Sequence, residues 1–112
     1  MGPTARTLKQ LRENGWTCDV VERWLGGKIR KDLFGCIDVL AVKDGRLLAI
    51  QSTVGAAHAN RVRKSANVKE LREFLKVPNS RFEVWSWSKR GEHGKRKLWT
   101  LRTEGALSVM GD

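Results

Sequence analysis

The most constraining feature of the sequence is the segment of residues 34–53, FGCIDVLAVKDGRLLAIQST, which has the pattern of a β-hairpin. Two apolar runs flank Asp44-Gly45, a pair that suits a type I′ turn because both central positions of that turn need a positive φ. A two-residue loop fixes the register and places Asp38 directly opposite Gln51. Directly opposed side chains have Cβ atoms roughly 4.5–5.5 Å apart. We therefore expect a carboxylate and an amide to lie together on one face of the sheet.

Polar side chains in the middle of apolar strands need a reason, because burying an unpaired polar group is unfavourable. Asp38 either caps a turn or pairs with one of the Arg residues, with Gln51 satisfying it, or the two side chains bind a ligand together. Thr53 lies two residues beyond Gln51 and so points to the same face. Carboxylate and carbonyl oxygens are the ligands that Mg²⁺ prefers. The pattern therefore favours a site for a small, hard cation.

Composition indicates one domain with a basic surface. The 112 residues include 22 Lys and Arg against 12 Asp and Glu, which gives a formal net charge of +10. A domain with this imbalance usually binds a polyanion, most often nucleic acid. We expect a single domain over residues 1–112, with its core at about 4–102 and a flexible tail at 103–112.

The sequence has neither a signal-peptide pattern nor an apolar run as long as the roughly 18 residues that a membrane helix needs. We therefore expect a soluble intracellular protein. We also expect no membrane partner, because no basic amphipathic segment carries a bulky apolar face along its whole length.

Two more acidic residues lie close to the hairpin. Glu22 falls in residues 16–25, WTCDVVERWL, whose alternation predicts a strand. It either joins Asp38 at the cation site or forms a salt bridge with a nearby Arg. Asp32 closes the glycine-rich loop before the hairpin, where it is either a turn cap or a second acid near the cation.

A helix is predicted over residues 56–76, with an apolar stripe along its second half. Helical spacing continues that stripe backwards through Lys64 to Asn60 or Arg61, so its inward face becomes polar near the end of the hairpin. Lys64 then either points into the cation site or covers apolar surface with its stem. Arg63 lies off the stripe.

Basic residues concentrate in two further places, the loop GGKIRKD before the hairpin and the loop KRGEHGKRK between the last two predicted strands. Charge runs in loops are either solvated or available to a phosphate backbone. The residues expected to contact nucleic acid are Lys28, Arg30, Lys31, Asn60, Arg61, Arg63, Lys89, Arg90, Lys95, Arg96 and Lys97.

The order of the predicted elements, with residues 32–42 (DLFGCIDVLAV), 47–53 (LLAIQST) and 59–64 (ANRVRK) at its centre, resembles the PD-(D/E)XK nuclease superfamily. Within it, the chain looks closest to small Holliday-junction-resolvase-like or VRR-NUC-like proteins of phages and bacteria. The resemblance implies an α/β (α+β) fold with a restriction-endonuclease-like αβββαβ core, a mixed central sheet flanked by helices, and here an extra C-terminal strand.

The resemblance also carries over to single positions. Asp38 matches the family's metal-binding Asp, Gln51 stands where the family has Glu, and Thr53 stands where it has Lys. Asp32 or Glu22 would then complete the metal site, and Lys64 would replace the missing ammonium group. The implied cofactor is Mg²⁺, with Mn²⁺ as an alternative.

The function implied by the resemblance is metal-dependent hydrolysis of branched or structured DNA, such as a four-way junction or a flap. A homodimer is implied as well, because junction cleavage needs two cuts. The implied location is the cytoplasm of a bacterium or of a phage-infected host. The alternative is a non-catalytic nucleic-acid-binding module on a degenerate nuclease fold, since Gln51 and Thr53 depart from the family pattern.

Overall fold

The computed structural model describes residues 1–91, 94 and 96–105 of the chain. The fold is α+β, with a five-stranded mixed sheet, flanking helices and a separate two-stranded hairpin. In chain order, the elements are α1 (Pro3–Glu13), β1 (Thr17–Val20), β2 (Arg23–Trp24), β3 (Arg30–Lys31), β4 (Val39–Lys43), β5 (Arg46–Val54), a 3₁₀ turn (Gly55–Ala57), α2 (His58–Ser65), α3 (Lys69–Phe74), β6 (Ser80–Arg90) and β7 (Leu98–Gly105).

The main sheet has the strand order β1-β4-β5-β6-β7. The β5 and β6 strands are parallel and are joined through α2 and α3, whereas the other neighbours are antiparallel. A parallel pair needs such a crossover, because a tight turn can only join antiparallel strands. The expected fold class, a mixed sheet flanked by helices with an extra C-terminal strand, is confirmed.

The central hairpin has the predicted register. Lys43 pairs with Arg46 across a loop of Asp44 and Gly45, whose φ angles are 50° and 75°. The β4–β5 ladder continues to Val39, which pairs with Ile50. Asp38 therefore lies at the open end of this hairpin.

The sheet separates two apolar clusters, one on each face. Phe82 and Val84 lie in the cluster beneath α2 and α3, whereas Trp85 and Trp87 lie in the cluster beneath α1. This division follows from the strict alternation of β6, because successive strand residues point to opposite faces. The two Trp residues are buried core residues, 7 % exposed each.

Residues 16–25 do not form one strand as predicted. The main-sheet strand β1 ends at Val20, and the chain then leaves the sheet to form β2, which pairs with β3. Gly26 and Gly27 have φ angles of 103° and 58°, conformations that Gly adopts readily. They allow the chain to reverse within a few residues, so the predicted glycine-rich loop is the turn of a second hairpin.

The prediction of one continuous helix over residues 56–76 is also wrong. The helix is interrupted between α2 and α3, where Val68 is extended with φ −90° and ψ 107°. The Asn67 side chain donates to the Arg63 carbonyl at 3.3 Å, and Asn and Val are both weaker helix formers than Ala. The interruption changes the phase of the buried face from one helix to the next.

The domain also extends further than predicted at its C-terminal end. Strand β7 continues to Gly105, beyond the predicted limit of the core at 102, and Thr103 and Glu104 pair with β6. The part of the predicted flexible tail that follows, residues 106–112, lies outside the described residues.

Candidate metal centre

Three acidic side chains meet at the open end of the central hairpin. Glu22, Asp32 and Asp38 each offer one carboxylate oxygen, and these oxygens all lie within 4.8 Å of one another. Glu22 follows β1, Asp32 follows β3 directly, and Asp38 precedes β4. Glu22 and Asp32 therefore both lie beside Asp38, and Glu22 also forms the salt bridge with a nearby Arg that was its other predicted role, at 3.4 Å from Arg30.

The β2–β3 hairpin brings Glu22 and Asp32 together. Its ladder pairs Arg23 with Lys31, so the residue before Arg23 and the residue after Lys31 stand side by side at the base of the hairpin. Antiparallel pairing makes such neighbours close in space although they are distant in sequence. The local fold therefore supplies two of the three acids as a pair.

The backbone of Asp38 is fixed from two sides. Its N–H donates to the Ile50 carbonyl at 2.9 Å, and its carbonyl accepts from the Val21 N–H at 2.8 Å. The side chain is held as well, because its Oδ2 accepts from the Ser52 N–H at 2.8 Å. Asp38 is thus oriented by the strands on both sides of β4.

The electrostatic environment of Asp38 disfavours its ionised form. Burial raises the pKa of Asp38 to about 8, and a hydrogen bond with Asp32 and the charges of Asp32 and Glu22 act in the same direction. The Ser52 N–H opposes this shift in pKa but does not cancel it. Among the described residues, neither Asp32 nor Asp38 has a basic partner within salt-bridge distance, whereas Glu22 pairs with Arg30 at 3.4 Å.

The acids line a polar cavity of about 460 Å³. Three basic residues share its wall, Lys28 and Arg30 from the β2–β3 hairpin and Arg61 from α2. The lining residues are Thr4, Glu22, Lys28, Arg30, Asp32, Asp38, Gln51, Ser52 and Arg61. A lining that carries both positive and negative groups suits a ligand that contains both a cation and an anion.

Gln51 lies in this cavity, as the register predicts, and is buried. Its Oε1 is 3.4 Å from the Ser65 Oγ, which also donates to the Arg61 carbonyl at 2.8 Å. Thr53 points to the same face of β5 and is also buried, but it does not line the cavity, and its strand position pairs with Ser86. Of the two residues, Gln51 is therefore the one whose side chain borders the cavity.

Lys64 does not lie on the inward face of its helix, contrary to the prediction from helical spacing. The buried face of α2 consists of His58, Val62 and Ser65, and Lys64 is exposed to solvent. The apolar stripe was predicted by extending the spacing of one helix across the interruption between α2 and α3. The buried face of α2 therefore does not continue the buried face of α3. Arg61, which the sequence offered as an alternative to Asn60 on the inward face and as a contact for nucleic acid, is the basic residue of α2 that reaches the cavity.

The other described residues that were expected to contact nucleic acid are exposed and are spread over three regions. Lys31 lies on the β2–β3 hairpin, next to a separate cavity of about 560 Å³. Asn60 and Arg63 lie on α2, and the end of the β6–β7 hairpin carries Lys89, Arg90, Arg96 and Lys97. Lys95 lies outside the described residues.

A second buried polar cluster has no counterpart in the sequence-based predictions. His58 Nδ1 lies 2.6 Å from Ser86 Oγ, and His58 Nε2 lies 3.1 Å from Glu104 Oε1. His58 and Ser86 are each 1 % exposed. A lone His at a helix start and a lone Ser in an apolar strand give little signal in sequence, because only the crossover of α2 onto β6 brings them together.

Comparison with known proteins finds no matching family model, no matching curated protein and no matching solved structure. Across residues 1–91, 94 and 96–105, no helix has the length and apolar character needed to cross a membrane.

Proposed function

We propose that this protein is a metal-dependent endonuclease that hydrolyses phosphodiester bonds in branched or structured DNA. The observation that carries the proposal is the meeting of Glu22, Asp32 and Asp38 within 4.8 Å of one another. Like charges at this separation repel one another in a low dielectric. A bound divalent cation relieves that repulsion, and oxygen donors are the ligands that Mg²⁺ and Mn²⁺ take.

The donor set fits a hard divalent ion. Glu22, Asp32 and Asp38 would hold it through carboxylate oxygens, with the Gln51 side-chain oxygen available from the same cavity. When bound, the ion supplies Lewis-acid polarisation of the phosphodiester and a water of lowered pKa. The neutral Gln51 contributes no charge of its own, so Asp32 and Glu22 make up the negative charge.

The basic wall of the cavity suits a phosphate group. Arg61, Lys28 and Arg30 lie around the same space as the acids and would bind the non-bridging oxygens of the scissile phosphate. An Arg side chain can donate two parallel hydrogen bonds to such oxygens. Fixed positive groups stabilise the charge that develops on phosphorus in the transition state. Arg61 takes the role that the sequence assigned to Lys64.

The net charge of +10 supports DNA as the substrate, since a polyanion is attracted to such a surface. The proposed assignment to the PD-(D/E)XK superfamily is supported by the mixed sheet and by the position of Asp38 opposite β5. The proposal includes a homodimer, because a four-way junction is resolved by two cuts, and light scattering of the purified protein tests it.

The test is incubation with labelled four-way junction, flap and linear duplex DNA in Mg²⁺, Mn²⁺ or EDTA. We expect cleavage that requires the divalent ion and prefers branched DNA. The Asp38→Asn variant should lose cleavage by roughly a hundredfold or more, yet bind DNA at least as tightly as wild type, because a negative charge has been removed.

Asp44→Asn is the matched control, since Asp44 is exposed in the hairpin turn at the other end of β4 and Asn tolerates its positive φ. It should cleave like wild type. Equal loss of binding and cleavage in Asp38→Asn would contradict the proposed role of Asp38.

A second candidate function is a non-catalytic nucleic-acid-binding module. Two observations favour it: Gln51 is uncharged, and Lys64 is exposed to solvent instead of lining the cavity. Salt-sensitive DNA binding without cleavage in either metal would support this candidate and contradict the nuclease proposal.

A further inference from the structure

The β2–β3 hairpin exposes large apolar side chains beside the acidic cavity. Trp24 and Ile29 are each 62 % exposed, and Leu25 is 51 % exposed. Single exposed apolar residues are ordinary, but a cluster of them on one protruding element marks an interaction surface. The Leu25 N–H donates to the Ile29 carbonyl at 3.0 Å, so these residues stand on an ordered turn.

Trp24 is linked to the acids through Arg30. The two residues are cross-strand partners, and the Arg30 guanidinium carbon lies 5.2 Å from the centre of the indole ring. Arg30 Nη1 also donates to Glu22 Oε2 at 3.4 Å. Trp24 is two positions after Glu22, so their Cα atoms are at most about 7 Å apart. This span equals roughly two nucleotide steps along a strand, so a base next to a phosphate held in the cavity would lie near Trp24.

The positive charge of the β2–β3 hairpin favours a polyanion as its partner. Residues 23–31 contain Arg23, Lys28, Arg30 and Lys31 and no acidic residue. A second copy of the chain would bring an equally positive hairpin to this surface, which disfavours a symmetric contact between two such hairpins. A polyanion with exposed aromatic rings satisfies both the charge and the apolar surface, and a DNA strand with unpaired bases has both.

We propose that the β2–β3 hairpin is a wedge that stacks Trp24 on an unpaired base next to the phosphate bound in the acidic cavity. This inference rests on the proposed function and narrows its substrate class to DNA with an unpaired base at the cleavage point, such as a fork, flap or open junction. Bases stack on aromatic side chains largely without regard to sequence. Leu25 and Ile29 supply the apolar contact with the neighbouring base step, as apolar wedge residues do in other DNA-bending proteins.

The experiment measures binding in EDTA, so that it does not depend on cleavage. The probes are a forked duplex with 2-aminopurine as its first unpaired base and a fully paired duplex of equal length. Wild type should bind the fork roughly tenfold more tightly than the duplex and change the 2-aminopurine fluorescence, because one stacked base contributes about this factor. Trp24→Ala should lose both the preference and the fluorescence change, and Trp24→Phe should keep most of each.

Val42→Ala is the matched control, because Val42 is an exposed apolar residue near the turn of the β4–β5 hairpin, at the other end of β4 from Asp38. It should behave like wild type. Trp24 is exposed, so the unfolding midpoint of Trp24→Ala should equal that of wild type, and Trp24→Phe tests stacking independently of any loss of folding.

The outcomes separate this inference from the proposed function. Fork preference that depends on Trp24, in a protein that cleaves no DNA, would support the wedge and contradict the nuclease. Cleavage and fork preference unchanged in Trp24→Ala would overturn the wedge and leave the nuclease standing. Two other results would also overturn the wedge: conversion of a dimer to a monomer by Trp24→Ala without loss of fork preference, and Trp24-dependent binding to phosphatidylglycerol vesicles without fork preference.

Discussion

Two polar clusters are built into the sheet of this protein, and they are satisfied in opposite ways. In the cluster of His58, Ser86 and Glu104, both ring nitrogens of the His have an oxygen partner within 3.1 Å. In the cluster of Glu22, Asp32 and Asp38, oxygens face oxygens. The first cluster completes itself with hydrogen bonds from its own side chains. In the second, Glu22 pairs with Arg30, but among the described residues Asp32 and Asp38 have no basic partner within salt-bridge distance.

The two clusters show how buried polar groups that stabilise a fold differ from polar groups that are placed to bind a ligand. A group of Ser, His and Glu resembles a set of catalytic residues by composition, yet His58 and Ser86 are closed off from solvent. Each acid taken alone is a weaker indication of function than a Ser, His and Glu group. The three acids nevertheless border a cavity of about 460 Å³ that basic residues also line. Self-complementary clusters stabilise a fold, whereas the repulsion in a cluster of like charge is relieved by protonation, by a basic partner or by a bound cation.

The largest effect on stability is expected at the satisfied cluster. His58→Ala removes the hydrogen-bond partner of the buried Ser86 hydroxyl and one of the two partners of the Glu104 carboxylate, and it opens a cavity. The free energy of unfolding should therefore fall by about 2–4 kcal/mol. Urea unfolding monitored by Trp fluorescence measures the change. Asn60→Ala, on the exposed face of the same helix, should stay within about 0.5 kcal/mol of wild type. A wild-type midpoint for His58→Ala would mean that the cluster is not structural.

The acidic cluster should respond in the opposite direction. Burial and its acidic neighbours disfavour ionisation of Asp38. Asp38→Asn puts a neutral group of the same size in its place, so in EDTA the variant should be at least as stable as wild type. Adding Mg²⁺ at 100 times its Kd should stabilise wild type by about 2.7 kcal/mol and Asp38→Asn much less. Thermal unfolding with and without the ion tests this. Equal stabilisation of both proteins would place the ion elsewhere.

The pH dependence of stability should report on the buried carboxyl group of Asp38. Because the pKa of Asp38 is raised to about 8 in the folded protein from an ordinary value of 3.8, the folded state binds more protons than the unfolded state between these values. Stability without metal should therefore contain a contribution that is full below about pH 4 and is lost as the pH rises through 8. Measuring the free energy of unfolding of wild type and Asp38→Asn across this pH range isolates the contribution of Asp38. Parallel pH profiles of the two proteins would contradict a raised pKa for Asp38.

The smallest effect is expected from restoring a charge. Gln51→Glu adds a carboxylate opposite Asp38, so Mg²⁺ should bind about tenfold more tightly, which is about 1.4 kcal/mol, while stability in EDTA falls. Isothermal titration calorimetry measures the affinity. Gln10→Glu on α1 makes the same chemical change away from the acids and should leave the affinity unchanged. Unaltered affinity in Gln51→Glu would exclude position 51 from the site.

Local rules were enough to predict part of the site from the sequence. The turn at Asp44-Gly45 sets the register of β4 and β5 and thereby brings Asp38 and Gln51 to one end of the sheet. The same kind of signal was present at Gly26-Gly27, with Trp24 and Arg30 on either side. It was interpreted as a loop, and the pairing of Glu22 with Asp32 was therefore left open.

The other features of the site could not be predicted, because they depend on contacts between elements that are distant in the sequence. The inward face of a helix can be extrapolated only while the helix continues, and the break at Val68 turned Lys64 outward and Arg61 towards the cavity. The cluster around His58 combines α2, β6 and β7, so no local spacing predicts it. Periodicity identifies faces within one element, whereas the packing between elements decides which faces meet.

The acids at the base of the β2–β3 hairpin have a consequence for the entropy of the chain. An ion that contacts Glu22, Asp32 and Asp38 would tie together the two ends of residues 22–38, much as a cross-link closes a loop. Part of its binding free energy would then be used to order this loop. The ion would in this way also restrict the orientations open to Trp24 before the proposed DNA substrate binds.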